Sequence, residues 1–175
     1  MRFQAALLAS AALVTADPRL NKRAAIDDCL SAAKVPVDAR DSTGWKNDVN
    51  PFNQRLKYTP AAIAVPTTTE QIAAAVSCGA KVGLKVTAKS GGHSYASFGL
   101  GGENGHLIVQ LDRMNAVSLD SSTNIATVQA GARLGHVATV LYRNGKRAFS
   151  HGTCPGYALI SISRGTDSPL PCQSR

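Results

Sequence analysis

Apolar positions fall in short runs along this chain, separated by polar turns, and their spacing switches between helix and strand periods. Residues 24–33 carry a helical pattern. Residues 38–54 are polar, with Gly44, Pro51 and the single tryptophan, Trp45, and predict an irregular segment packed by the indole. Residues 61–65 make a short apolar strand stopped by Pro66. Thr67-Thr68-Thr69-Glu70 fits a capping box with Thr67 as N-cap and Glu70 three residues on. The helix that follows sets Ile72, Ala75, Val76 and Gly79 on one side and should stop between 79 and 83. The run Val82-Gly83-Leu84-Lys85-Val86 reads as extended and leads into a strand over 84–88. Residues 107–111 alternate like a strand. Residues 116–119 and 125–130 predict two more, joined by a turn at 120–124. Residues 133–143 are amphipathic, with Leu134, Val137, Ala138 and Leu141 on one face, and Asn144-Gly145 closes that helix. Residues 157–163 suit a further strand, and 164–175 have loop composition.

This mixture of helices and strands over 175 residues predicts one α+β domain. A hydrophobic share of 44% is globular, and no apolar run is long enough to span a membrane. Residues 1–16 have the order of a secretory signal: Arg2, an apolar core, then Val14-Thr15-Ala16 before a cut. Residues 17–23 read as a propeptide ending at the dibasic Lys22-Arg23, with the mature chain from Ala24. Removing 1–23 takes away four basic residues and one acidic one, so the formal charge falls from +8 to +5. The remaining basic residues are scattered, which argues against nucleic acid as a partner. The expected product is a secreted, extracellular monomer with no membrane attachment.

Four cysteines in a secreted chain suggest disulfides, and their spacing matches no zinc pattern. A bridge from Cys29, in the first helix, to Cys78, near the end of the second, would tie the N-terminal helix to the domain. Cys154 then has two readings: a disulfide with Cys172, or a thiol kept for chemistry. The four histidines include no i, i+4 pair on one helix face, so no metal site is expected. His106 is expected to be solvated in a glycine-rich turn. His136 reads as surface, and His151 as a residue that orients the loop carrying Cys154. Asp112-Arg113 reads as a surface or interdomain pair.

The densest chemistry lies in Lys89-Ser90-Gly91-Gly92-His93-Ser94-Tyr95, directly after a strand. Two glycines allow a tight turn and a close approach to a ligand. Successive backbone N–H groups in such a turn form an anion-binding nest. Ser90 and Ser94 offer hydroxyls, and His93 brings a nitrogen nucleophile that is largely neutral near pH 7. Gly152-Thr153-Cys154-Pro155-Gly156 is a second tight segment, with a sulfur nucleophile in its middle.

Between about residues 27 and 156 the sequence resembles flavoproteins with the FAD-binding domain of the p-cresol methylhydroxylase (PCMH) type. It is most similar to the berberine-bridge-enzyme-like branch and to the fungal glucooligosaccharide oxidases within it. The matching pieces, in order, are Asp41-Ser42-Thr43-Gly44-Trp45, the stretch 58–66, Gly91-Gly92-His93-Ser94-Tyr95, Leu111-Asp112-Arg113-Met114, Gly131-Ala132-Arg133-Leu134-Gly135 and His151-Gly152-Thr153-Cys154-Pro155. The resemblance implies a PCMH-type fold of two small α/β subdomains, truncated in this chain. It implies FAD as the cofactor, held by Ser90, Gly91, Gly92, His93, Ser94 and Tyr95. It further implies covalent attachment through His93 to the flavin 8α-methyl and through Cys154 to C6, and the Cys29–Cys78 disulfide. A double tether would raise the flavin's reduction potential. The implied activity is oxidation of an oligosaccharide to a lactone with release of hydrogen peroxide. The family's catalytic base comes from a region with no match here, so no catalytic residue is assigned. The resemblance stops at Gly156, and residues 157–175 read as an unrelated tail, from a gene-model error or, as the alternative, a genuine short form. The competing readings are a non-catalytic flavin-binding module and an inactive, secreted, disulfide-linked fragment.

Overall fold

The computed structural model describes residues 18–158, with side chains from residue 21 onward. The signal segment 1–16, Cys172 and residues 159–175 of the proposed tail lie outside the described residues.

Helix α1 (Pro18–Ala32) begins six residues before the sequence pattern places it. The dibasic pair Lys22-Arg23 therefore sits inside a helix, and Lys22 Nζ donates to the Gly83 carbonyl at 3.2 Å. The segment 38–54 is not wholly irregular. Ser42 caps a short helix α2 (Thr43–Asp48), its hydroxyl accepting from Trp45 N at 3.0 Å. Trp45 packs, as expected, against Ile63, Val65 and Ile108. Arg40 reaches over the indole and also pairs with Asp27 of α1 at 2.9 Å.

Strand β1 (Ala62–Ala64) leads to helix α3 (Thr69–Val82). Its capping motif sits one residue later than expected. Thr68 is the N-cap, its hydroxyl accepting from Gln71 N, and Gln71 Oε1 accepts from Thr67 N at 2.8 Å. Ala75, Cys78 and Gly79 are the buried positions, whereas Val76 is 46% exposed, so the buried stripe is rotated from the expected one. Cys29 and Cys78 are joined by a disulfide that holds α1 on α3. The run from Val82 is not extended. Val82 ends the helix, and Gly83 caps it at φ +68.

Strand β2 (Val86–Lys89) follows, then a 3-10 turn at Phe98–Leu100 and strand β3 (Leu107–Gln110). The sheet has the order β1-β3-β2, and both pairings are parallel. β3 does not alternate; all four of its residues are buried, as a central strand covered on both faces requires. Burying Leu107, Ile108 and Val109 is worth about 1.5–3 kcal/mol for each side chain. Strands β4 (Val117–Asp120) and β5 (Ile125–Val128) form an antiparallel hairpin. Its turn is closed by the Asp120 carboxylate, which accepts from Ser122 N at 2.8 Å and from the Thr123 hydroxyl at 2.8 Å. Helix α4 (Leu134–Gly145) packs on this hairpin through Val137 and Leu141. Lys146, not a glycine, takes the left-handed cap at φ +51, and Gly145 instead lets the helix approach Leu119 closely.

Gly131 joins the two sheets with no room to spare. A Cβ there would lie 1.8 Å from the Leu111 carbonyl oxygen, which is backbone and has little freedom to yield. Gly131→Ala should cost about 3 kcal/mol or more. Urea unfolding should show this as a lower midpoint with an unchanged slope.

Candidate functional site

The carboxyl ends of β2 and β3 lie side by side, because Leu111 N donates to Lys89 O at 2.8 Å. The glycine turn starts at this edge, with Gly92 at φ +70. The second predicted segment meets it directly. A Cβ on Gly91 would sit 3.0 Å from Ala158 N, and one on Gly156 would sit 3.4 Å from His93 Nε2. The His93 ring stands edge-on to Tyr157 at 4.5 Å and tilted against Phe52 at 4.8 Å. Burial, together with a hydrogen bond to Tyr95, pushes the Tyr157 phenol above its usual pKa. The structure thus brings together two loops far apart in the chain around one imidazole.

Each loop is fixed from behind. The N-terminus of α4 holds the second one: Leu134 N donates to Tyr157 O at 2.8 Å and Gly135 N to Pro155 O at 2.9 Å. Arg133 and Ala158 form an antiparallel bridge. Cys154 lies in this loop, 4% exposed and disulfide-bonded. The sulfur is therefore held in a protein bond in this chain, and it reaches a ligand only in its reduced form. His151 is exposed, bonds the Gly152 carbonyl and rests on Phe149 at 4.9 Å.

The Ser90 hydroxyl is committed to the fold. It donates to the Ala130 carbonyl and accepts from Arg133 Nη1 at 3.3 Å. The Ser94 hydroxyl accepts from Phe98 N at 3.2 Å and closes the loop's far end. Tyr95 is exposed.

Sequence reasoning missed the charges beneath the loop. Lys89 is buried, and its ammonium donates to the Asp48 main-chain carbonyl at 2.8 Å and to its carboxylate at 3.3 Å. Burial pushes the Asp48 carboxyl up to about 6, against the pull of Lys89. Burial likewise lowers the Lys89 ammonium, opposed by Asp48. The half-buried Arg133 guanidinium is also lowered by burial, with Asp112 and Asp48 opposing. Asp112 is not the surface partner of Arg113. One of its carboxylate oxygens is buried among these charges, while Arg113 is exposed. Asp48 carries no sequence signal, because a polar residue in a polar segment reads as solvated.

His106 departs from expectation too. It is buried, bonded by Nδ1 to the Thr87 hydroxyl at 2.8 Å and by Nε2 to Glu103 at 3.1 Å. It packs beneath Gly101, where a Cβ would strike its ring. Among the described residues no cluster of histidine, cysteine and carboxylate side chains could hold a metal, and no helix is long and apolar enough to cross a membrane.

These residues fit an anionic dinucleotide. A turn with two successive glycines lies at a strand end, the Arg133 guanidinium stands behind it, and an aromatic-flanked imidazole stands at its mouth.

The Asp48 carboxyl gives the site a pH signature. Its pKa is near 6 folded against an ordinary 3.8, so the folded state holds the proton more tightly. Stability from this group is full below the unfolded value and is lost as pH rises through 6. Between about pH 7 and pH 4 the difference in urea midpoint between wild type and Asp48→Asn should therefore shift in favour of the wild type. A difference that stays constant would contradict the assignment.

A family model described as an FAD binding domain matches residues 60–158. The chain is 72% identical over 138 residues to the xylooligosaccharide oxidase of Thermothelomyces thermophilus, a match covering 79% of this chain and 28% of that relative. A solved structure of the xylooligosaccharide oxidase from Myceliophthora thermophila, in complex with xylobiose, superimposes with a TM-score of 0.78 at 70% identity, covering 79% of this chain and 29% of that one. The glucooligosaccharide oxidase of Acremonium strictum, described with a 6-S-cysteinyl, 8α-N1-histidyl FAD, superimposes with a TM-score of 0.75 at 53% identity, covering 77% of this chain and 28% of that one. The chain thus spans less than a third of the length of these relatives. Matched over more than half its length by that model, on a fold whose two loops converge on one histidine, the chain belongs to the FAD binding domain family of flavoproteins.

Proposed function

We propose that this chain forms the flavin-holding part of a secreted oligosaccharide oxidase. The observation that carries the reading is the convergence of the His93 turn and the segment 154–158 on one imidazole. The backbone of 90–95 would bind the diphosphate, with Arg133 supplying positive potential behind it, since the Lys89 charge is spent on Asp48. His93 would form the primary covalent bond, and Cys154, in its thiol form, the second.

A bond from a His93 nitrogen to the 8α carbon would replace one N–H and one C–H, and the two protons and two electrons released would pass to molecular oxygen, giving hydrogen peroxide. A thioether from Cys154 would replace one S–H and one C–H with the same outcome. Bound FAD would supply the two-electron acceptor for taking a reducing-end sugar to its lactone, and oxygen would receive those electrons as peroxide. The 72% identity to a xylooligosaccharide oxidase favours xylan-derived oligosaccharides as the substrate class. The disulfide between Cys29 and Cys78 agrees with an oxidising, extracellular setting. The second reading is a flavin-binding module without catalysis of its own, in which Cys154 stays in its disulfide.

Protein loaded with FAD should stay yellow after acid precipitation and give a flavin-bearing peptide at His93. His93→Ala should lose most of the covalent flavin. Cys154→Ala should keep histidyl flavin with altered absorbance. Release of all flavin by acid from the wild type would refute the assignment. Peroxide formation with xylooligosaccharides by the full-length gene product separates the oxidase from the silent module. Secreted material should begin at Asp17 or Ala24 by N-terminal sequencing.

A further inference from the structure

We infer that Lys89 and Asp48 are positioning residues that anchor a rigid wall, residues 48–53, against which the His93 imidazole is aimed at flavin. The inference rests on the reading of His93 as the attachment point. The wall and the flavin turn touch at three places in register. Asp48 takes the Lys89 ammonium through its main-chain carbonyl at 2.8 Å and its carboxylate at 3.3 Å. Phe52 lies against the His93 ring at 4.8 Å and against Tyr95 at 5.4 Å. Asn53 Nδ2 donates to the Tyr95 carbonyl at 2.8 Å. Polar contacts pin the two ends of the wall, and the aromatic contact between them falls on the ring that must be oriented.

The Lys89 stem runs directly beneath the turn. A Cβ on Gly92 would come within 2.9 Å of Lys89 Cε, and one on Gly99 within 3.5 Å of its Cγ. Lys89 is thus the floor of the loop as well as its tie to α2. A turn with two successive glycines has little stiffness of its own. Bond formation demands that the ring nitrogen be held to within about half an ångström of the productive geometry. The glycines give the backbone its close approach, and the aim of the ring comes from outside the loop. The buried pair makes sense in these terms. The side chains of Lys89 and Asp48 are 9% and 13% exposed, and an apolar pair of the same volume would serve stability as well or better. What the ion pair adds is a directional link across 41 residues of sequence, from the floor of the turn to the start of the wall.

The test is the rate of covalent attachment per bound flavin in the full-length gene product, prepared without flavin and then given FAD. Acid precipitation at successive times and the mass of the His93 peptide read the attachment. FAD affinity is measured separately in a His93→Ala background. Lys89→Met and Phe52→Leu should each slow attachment by about ten- to a hundred-fold, with FAD affinity little changed. Lys89→Arg should recover most of the rate. Asp48→Asn, which keeps the main-chain acceptor, should lose less than Lys89→Met. Attachment at the wild-type rate in Lys89→Met and Phe52→Leu overturns the inference. A fall in FAD affinity matching the fall in attachment overturns it as well, since that is what a merely structural role would give. Should Lys89→Met not yield soluble protein, Phe52→Leu decides alone. Covalent flavin persisting in His93→Ala would instead defeat the reading of His93, and the two failures are distinguishable.

Discussion

A parallel three-stranded sheet has all its carboxyl ends at one edge, and everything functional in this chain follows from that constraint. β3 sits between β1 and β2, buried on both faces, so its apolar residues hold both neighbours in register. The turn after β2 and the Leu111-Asp112 step after β3 must therefore emerge next to each other. The Leu111 to Lys89 hydrogen bond is the physical join. Gly131 then lies on the Leu111 carbonyl, which brings α4 and the segment it holds to the same edge.

Softness and stiffness are divided between different parts of the site. The turn after β2 is glycine-rich because a side chain at Gly91 or Gly92 would crowd Ala158 or Lys89. Its rigidity is borrowed from the ion pair below, from Phe52 on one side and from the segment 154–158 on the other. That second segment is in turn tied to the N-terminus of α4, whose first amide groups are satisfied by the Pro155 and Tyr157 carbonyls. Gly135 carries no side chain because Pro155 lies across it; a Cβ there would be 2.8 Å from the proline's own Cβ.

The buried charges explain why the loop's neighbourhood is polar at its centre and apolar around it. Taking Lys89 and Asp48 out of water costs several kcal/mol for each ion before their attraction offsets it. Burial accordingly pushes both groups towards their neutral forms. Removing one partner alone would leave the other exposed to that full cost. The pair therefore constrains the sequence more tightly than an apolar contact would.

Local signals were legible along the chain wherever neighbours in sequence are neighbours in space. The glycine turn and its histidine, the β4–β5 hairpin with its Asp120 turn, and the amphipathic α4 all read directly from spacing. The resemblance carried the Cys29–Cys78 pairing and the FAD cofactor. Spacing misplaced the cap of α3 by one residue, because Thr67 and Thr68 are chemically equal and only the path of the chain selects between them. It also made His106 look solvated, since a histidine among glycines reads as exposed until Gly101 is folded over it. Nothing local marks Asp48 or Phe52 as parts of the site, or shows that Lys89 is buried and paired. Their roles arise from contacts 41 residues apart in sequence, made when α2 packs under the β2 turn. The sequence by itself determined which groups can do chemistry, because reactivity resides in the side chain. Only the tertiary structure decided which groups aim and restrain them, because that depends on distances between segments that the order of residues does not contain.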